Sequence, residues 1–258
     1  MIKDIDNTKW KDNVQRLVLY ADFMGFKSRV YGSEHSQLKE LLDRFNTSWH
    51  NKLKSLQNTG NLEFIQFSDS ILVVTNEANP EMFELITKAA VSLVHEALKI
   101  QFGIKGVIAQ GVFSFDKEKG IYFGKPLVDA YLLHEEVKYY GIVVHHSAEN
   151  MLKNSLNINR KGEGEEEENE TRKLLLPYTN TDIFIEKGKV SHYHLSWNMV
   201  DFSLTSEEDI TDECNSLLDA IEETVSGNPR QYIDRTRDVM QRDKNFFFPS
   251  NSNKLDNK

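Results

Sequence analysis

Leu17-Val18-Leu19-Tyr20-Ala21 is an unbroken apolar, β-prone run that ends in the carboxylate of Asp22 and turns through Gly25. Continuity of this kind predicts a central strand covered on both faces. Apolar residues then recur at Leu38, Leu41, Leu42, Phe45, Trp49, Leu53 and Leu56, the spacing of one helical face, so a helix is predicted over 36–56 and stopped by Thr59-Gly60-Asn61. From Leu62 to Val74 the chain reads strand, turn, strand, with Ser68-Asp69-Ser70 as the tight turn. Asn79-Pro80-Glu81 supplies an N-cap and a first-turn proline for a second helix, whose apolar face is Phe83, Ile86, Ala90, Leu93, Val94, Ala97 and Leu98. Strand, helix, hairpin, helix is the order of a split β-α-β unit. The fold class expected is therefore α+β, a ferredoxin-like βαββαβ core with its helices on one face of an antiparallel sheet.

The strand predicted over Ile104–Phe113 carries Gly106 and Gly111, which inside a strand mark a bulge or a close approach. After a loop at 116–120, a return strand is expected at 121–124, a helix at 127–137 and a buried strand at 141–144. Strands are also predicted at 174–178, 182–186 and 190–197. Between them Gly162–Glu170 is an acidic run that self-repels, so a flexible insertion is expected over about 159–171. Ser206-Glu207-Glu208-Asp209 has helix-opening chemistry for a segment with apolar positions Ile210, Cys214, Leu217, Leu218, Ile221 and Val225. Gly227-Asn228-Pro229 breaks it, and a basic helix follows over 230–242. The organisation expected is a core at 14–197, a C-terminal helical extension at 198–245 and a disordered tail at 246–258, within which Phe246-Phe247-Phe248 is apolar enough to dock locally.

Charge and composition narrow the functional classes. Across 258 residues the net charge is −9, which argues against nucleic acid as a partner, because a phosphate backbone demands a basic surface. The single cysteine, Cys214, fits a reducing compartment. The charged start Met1-Ile2-Lys3-Asp4 is unlike a signal peptide, and no apolar run approaches the ~20 residues that span a bilayer, so a cytoplasmic protein without direct membrane insertion is expected.

The candidate chemistry lies in two carboxylates. Asp22 and Asp69 close neighbouring strand ends, where hard oxygen ligands can hold a pair of divalent cations. The bland alternative is that Asp22 merely ends a strand and Asp69 merely makes a turn. His145 and His146 are adjacent at the end of a strand and so are expected on opposite faces, unable to share a metal. His192 and His194 alternate on one face, a zinc-compatible spacing that lacks a third ligand nearby in sequence.

Taken in order, Asp22-Phe23-Met24-Gly25-Phe26, Ser68-Asp69-Ser70, Gly106-Val107-Ile108-Ala109-Gln110-Gly111 and Gly124-Lys125-Pro126-Leu127-Val128-Asp129-Ala130-Tyr131 resemble the class III nucleotide cyclase catalytic domain over about residues 14 to 197. The Ser-Asp-Ser hairpin and the Gly-x-Pro-Leu-x-x-Ala-Tyr segment look most like the pyrimidine cyclases of Pycsar antiphage defence. That resemblance implies conversion of UTP or CTP to the 3′,5′-cyclic monophosphate and pyrophosphate, and two Mn²⁺ or Mg²⁺ ions per site. It also implies a homodimer with sites between subunits and a downstream effector activated by the product.

Carried onto this chain, the resemblance puts the metal ions on Asp22, Asp69 and the Phe23 backbone carbonyl, and the triphosphate on the turn Phe23, Met24, Gly25 and Phe26. Lys189, in Glu186-Lys187-Gly188-Lys189, matches a late triphosphate lysine, and Lys27, Arg29 and Lys105 are further cations near the site. Ile65, Phe67 and Tyr131 are candidate base-pocket residues, equally suited to a core. The chain also departs from the purine cyclases. Val128 and Leu132 stand where those carry a ribose-holding asparagine and a triphosphate arginine, and Ile65 stands for their purine-selecting lysine. A purine cyclase with an unusual pocket and a catalytically silent binding module are the alternatives.

Overall fold

The computed structural model describes residues 10, 13–57, 60–161, 176–201 and 208–249. In chain order the elements are β1 (Gln15–Phe23), α1 (Phe26–Gly32), α2 (His35–Gln57), β2 (Leu62–Phe67), β3 (Ser70–Thr75), α3 (Pro80–Lys99), β4 (Ile104–Asp116) and β5 (Ile121–Gly124). They continue with α4 (Lys125–Glu136), β6 (Gly141–Val144), α5 (His146–Lys161), β7 (Tyr178–Ile185), β8 (Gly188–Leu195), α6 (Thr211–Glu222) and α7 (Asn228–Phe247). The sheet runs β2-β3-β1-β4-β6-β8-β7, with β5 paired to the far end of β4.

β1 lies between β3 and β4, antiparallel to both. Its alternation divides the molecule. Leu17, Leu19, Ala21 and Phe23 enter the main core with Phe45 and Trp49 of α2 and Phe83, Ile86 and Ala90 of α3. Val18, Tyr20 and Asp22 face the other way. There a second cluster joins Val107, Ala109 and Val143 of the sheet to Ala130 of α4, Ile183 of β7 and Val239 of α7. Helices thus cover both faces rather than the expected one. The sheet is mixed, because the crossover through β5 and α4 returns β6 parallel to β4.

The glycines of β4 mark close approaches. A Cβ at Gly106 would sit 2.9 Å from the Ala21 Cβ, and one at Gly111 would sit 2.8 Å from Pro126 Cδ at the start of α4. The Asn79 side chain caps α3, accepting from the Met82 amide at 2.9 Å as its sequence predicts.

Several boundaries differ from expectation. β7 is one strand where two were expected. The polar Thr179-Asn180-Thr181 stretch continues the ladder, paired with His194, Tyr193 and His192. α4 begins two residues early, at Lys125. α6 begins at Thr211, whose amide is held by Asp209 Oδ1 at 3.1 Å, so the acidic opening acts later than Ser206. Ser206, the acidic run 162–170, Leu174, Leu175 and the tail 250–258 lie outside the described residues. Phe246 and Phe247 belong to α7, not to a tail.

The C-terminal helices share the main core: Cys214, Leu218 and Ile221 of α6 and Ile233 and Met240 of α7 are buried in it. Polar bonds tie α7 to the strands. The Tyr140 amide donates to Thr236 Oγ1 at 2.9 Å, and buried Asp243 accepts from His194 Nε2 and Thr179 Oγ1, each at 2.9 Å. Among the described residues no helix is long and apolar enough to cross a membrane.

Candidate active site

Two tight turns bring the aspartates together. β1 ends at Phe23 and turns at Gly25, whose φ of +78° lies in the left-handed region that glycine adopts without a Cβ penalty. The β2–β3 hairpin turns on Ser68 and Asp69, with Ser68 at φ +58°. The Phe23 amide donates to the Asp69 carbonyl at 3.0 Å, stitching the hairpin tip to the end of β1. Asp22 pairs across strands with Ser70, whose hydroxyl donates to Asp22 Oδ1 at 3.2 Å. Burial, and then the nearby Asp69 charge, push the Asp22 carboxyl up to about 6, partly offset by the Ser70 bond and by Lys105.

The register spreads the site along the sheet. Phe67, Ser70, Asp22 and Lys105 form one row across four strands. Ile65, Leu72, Tyr20 and Val107 form the next row on the same face. α4 crosses above them. Tyr20 meets the Tyr131 ring at 5.8 Å and the His134 ring at 5.1 Å, both edge-on, and its hydroxyl lies 3.2 Å from Ser70 Oγ. The base-pocket candidates Ile65, Phe67 and Tyr131 therefore share the face of Asp22, and Phe67 is 81% exposed. Burial, and next Lys105, hold the His134 imidazole down to about 3, so it is neutral. Burial, followed by the Lys138 charge, lowers the Lys105 ammonium to about 8.

Other candidates stand apart or are already engaged. Lys189, at the start of β8, pairs with Asp238 of α7 at 3.2 Å and lies over the Phe184 ring, with no contact to either aspartate in the same chain. Arg29 donates to the Gln101 carbonyl at 3.2 Å and lies over Phe102, while Lys27 is exposed. The turn's amide cradle is smaller than expected. Phe23 donates to Asp69 and Met24 to the Gly103 carbonyl at 2.9 Å, because the turn is anchored to its neighbours by those bonds. Among the described residues only the Gly25 and Phe26 amides of that turn remain open to a phosphate.

The histidines correct a second expectation. His145 and His146 do not point apart: their rings lie 4.0 Å between centroids, because β6 ends at Val144 and His146 already opens α5. His194 is buried on Asp243 and Thr179 rather than free to join His192 at a metal. Among the described residues no three His, Cys, Asp or Glu side chains gather to hold a metal.

Tyr20 and His134 line the candidate site outside the sequence motifs, and Ser70, part of the Ser68-Asp69-Ser70 motif, gains a role as the donor to Asp22. Alternation offered the signal for the first, since Tyr20 lies two residues before Asp22 and so on its face. The site's electrostatics suit a hard divalent cation. Two carboxylates lie near enough for Asp69 to raise the affinity of Asp22 for a proton, and a cation relieves that repulsion. A cleft of about 280 Å³ lies elsewhere, between α3 and α6, lined by Lys52, His95, Lys99, Glu213 and the buried Cys214. It mixes charges of both signs and includes none of the residues of the aspartate face.

No protein-family model matches the chain, and no curated protein does. Solved structures do. The adenylyl cyclase CyaB from P. aeruginosa aligns over 76% of this chain and 96% of its own, at 14% identity and a TM-score of 0.50. The catalytic core of a rhodopsin-guanylyl cyclase with converted specificity covers 71% of this chain and 96% of its own, at 14% identity and a TM-score of 0.48. The guanylate cyclase domain of RhGC from Catenaria anguillulae covers 71% and 97%, at 15% identity and a TM-score of 0.43. At such identity the likeness is one of fold: the chain has the class III nucleotide cyclase catalytic fold.

Proposed function

We propose that this protein is a metal-dependent nucleotide cyclase acting on a pyrimidine nucleoside triphosphate, UTP or CTP, to give the 3′,5′-cyclic monophosphate and pyrophosphate. The observation that carries the reading is the Phe23–Asp69 backbone bond, which sets two half-exposed carboxylates side by side on a cyclase fold. Asp22 and Asp69, with the Phe23 carbonyl, hold two Mn²⁺ or Mg²⁺ ions. Such ions supply Lewis-acid activation of the ribose 3′-hydroxyl and neutralise the triphosphate. Asp22 accepts from Ser70, which is itself in contact with Tyr20, so its carboxylate is oriented before any ligand arrives. The Gly25 and Phe26 amides bind phosphate oxygens.

The pyrimidine preference rests on Ile65, which offers no polar group to a purine, and on the aromatic crowding of Tyr20 against Tyr131. Val128, Tyr131 and Leu132 of α4, with Phe67 at the end of β2, are exposed apolar residues on α4 and the aspartate row. They suit a second copy of the chain, and exposed Lys189 then reaches the triphosphate held by the partner's aspartates. The product serves as a messenger to a separate effector in antiphage defence. A silent nucleotide-binding module is the second reading, favoured by apolar Val128 and Leu132 where an asparagine amide and an arginine guanidinium would be needed.

Incubating the protein with all four ribonucleoside triphosphates and Mn²⁺, with products resolved by mass spectrometry, tests the proposal. Cyclic UMP or cyclic CMP is expected. Cyclic AMP or cyclic GMP would overturn the base preference and leave the mechanism, whereas no product from folded, metal-loaded protein would favour the silent module.

A further inference from the structure

His145 stands between the end of β6 at Val144 and the start of α5 at His146, the N-cap position of that helix. Its Nδ1 accepts from the Ser147 amide at 3.3 Å and lies 2.9 Å from Ser147 Oγ, which itself accepts from the Gln110 amide of β4 at 3.0 Å. A backbone amide can only donate, so the Ser147 bond requires a neutral imidazole with its proton on Nε2. Histidine is an unusual choice here, because Ser, Thr, Asp and Asn are the favoured caps and none of them gains a charge near neutral pH. The backbone reinforces the junction: the His145 amide donates to the Ile108 carbonyl at 2.8 Å, and the His145 carbonyl accepts from the Ala148 amide at 2.9 Å. Gln110 is followed by Gly111, which packs against Pro126 at the start of α4, so three elements meet at this point. The charged groups around the ring mostly oppose a second proton. His146 of α5, whose ring is 4.0 Å away, His192 of β8 and Lys125 of α4 disfavour it, while Asp129 of α4 favours it but is already paired with Lys125. Glu149 of α5 and His194 of β8 act on His192. Burial, and next His146, lower the His145 imidazole below its ordinary value of 6.5.

We propose that His145 is a pH-sensitive helix cap, fastening the start of α5 to β4 beside the start of α4 when neutral and releasing it when protonated. A second proton turns Nδ1 from an acceptor into a donor. Ser147 Oγ can turn to accept from it, but the Ser147 amide loses its partner outright, and a cation then sits at the positive end of a helix. His146 and His192 gain charge in the same pH range, and a cationic His145 is relieved by moving away from both. The sign follows from linkage. In the released form the ring returns to its ordinary value near 6.5, so the cap is fully in place above that pH, and release gains as pH falls below it. The proposal involves neither nucleotide nor metal and stands apart from the cyclase reading.

Hydrogen exchange of the first turn of α5, read by mass spectrometry at pH 7.5 and pH 5.5 and corrected for the intrinsic pH dependence of exchange, tests the assignment in the full chain. His145→Asn supplies a cap that does not titrate, and His145→Ala supplies none. Wild type should match His145→Asn at pH 7.5 and approach His145→Ala at pH 5.5, its protection falling by about three- to tenfold, the most that one proton can do one pH unit below 6.5. His145→Asn should hold its protection at both pH values. Asp22 and the other histidines titrate in every variant, so the difference between wild type and His145→Asn belongs to residue 145. Parallel loss of protection in wild type and His145→Asn would overturn the proposal. So would a folded His145→Ala protein that protects this turn as well as wild type at pH 7.5. If His145→Ala does not fold, the comparison with His145→Asn decides alone.

Discussion

Asp22→Asn separates function from stability in a way that can be worked from the structure. In the metal-free protein, burial and Asp69 raise the Asp22 carboxyl from 3.8 to about 6, so folding favours its protonated form. The ionised form is therefore a cost, absent below about pH 4, growing as pH rises through the interval, and complete above about pH 6. At 1.36 kcal/mol per pH unit the raised value corresponds to ~3 kcal/mol. Solvent screening at a half-buried carboxylate reduces this to roughly 1–2 kcal/mol. Asparagine keeps the shape and removes the charge. In EDTA at pH 7.5, Asp22→Asn should melt about 2–8 °C above wild type, at about 2–4 °C per kcal/mol for a chain of this size. The advantage should vanish at pH 4. Mn²⁺ should reverse the order, raising the wild-type melting temperature and leaving the variant unmoved. Differential scanning fluorimetry with and without Mn²⁺ reads all of these. An equal gain at both pH values, or an equal Mn²⁺ shift in both proteins, would refute the electrostatic reasoning.

Two further outcomes follow from packing. Asp243→Ala strands buried His194 and Thr179 and loosens α7, so urea unfolding should show a loss of roughly 3–5 kcal/mol, and a loss under about 1 kcal/mol would mean that the network is dispensable. Gly124→Ala puts a Cβ 2.4 Å from the Val112 carbonyl oxygen, so the β4–β5 edge must part and the start of α4 must shift. A cost of about 1–3 kcal/mol is expected, with activity falling alongside it, and a variant that melts like wild type would show that the edge yields freely.

Where one element determines its own structure, the sequence was informative. The apolar run of β1, the Ser68-Asp69 turn and the Asn79-Pro80 start of α3 each carry local chemistry that survives into the fold. Gly106 and Gly111 marked true close approaches. Segments whose stability comes from elsewhere were less legible. α5 is polar overall, so neither it nor the resulting contact of His145 with His146 was foreseen. The commitment of the Phe23 and Met24 amides depends on Asp69 and Gly103, far along the chain. The engagement of Lys189 by Asp238 required α7 to be placed against the β7–β8 hairpin. Within the candidate site, Asp22 and Asp69 were legible as a strand end and a hairpin turn, which the fold brings together. Tyr20 was legible from its alternation with Asp22, whereas the Ser70 bond to Asp22 and the packing of His134 on Tyr20 emerged only from the fold, because contacts between elements are not written in either element alone.

The chemistry itself is read most directly by following the phosphorus signals of UTP and CTP by ³¹P NMR with Mg²⁺ and catalytic enzyme, beside Asp22→Ala and Asp69→Ala. Cyclisation predicts one equivalent of a cyclic monophosphate resonance with one of pyrophosphate, and no change in the spectra of either variant. Inorganic phosphate in place of pyrophosphate, or a cyclic product that persists when either aspartate is removed, would contradict the assignment of Asp22 and Asp69 to a cyclase centre.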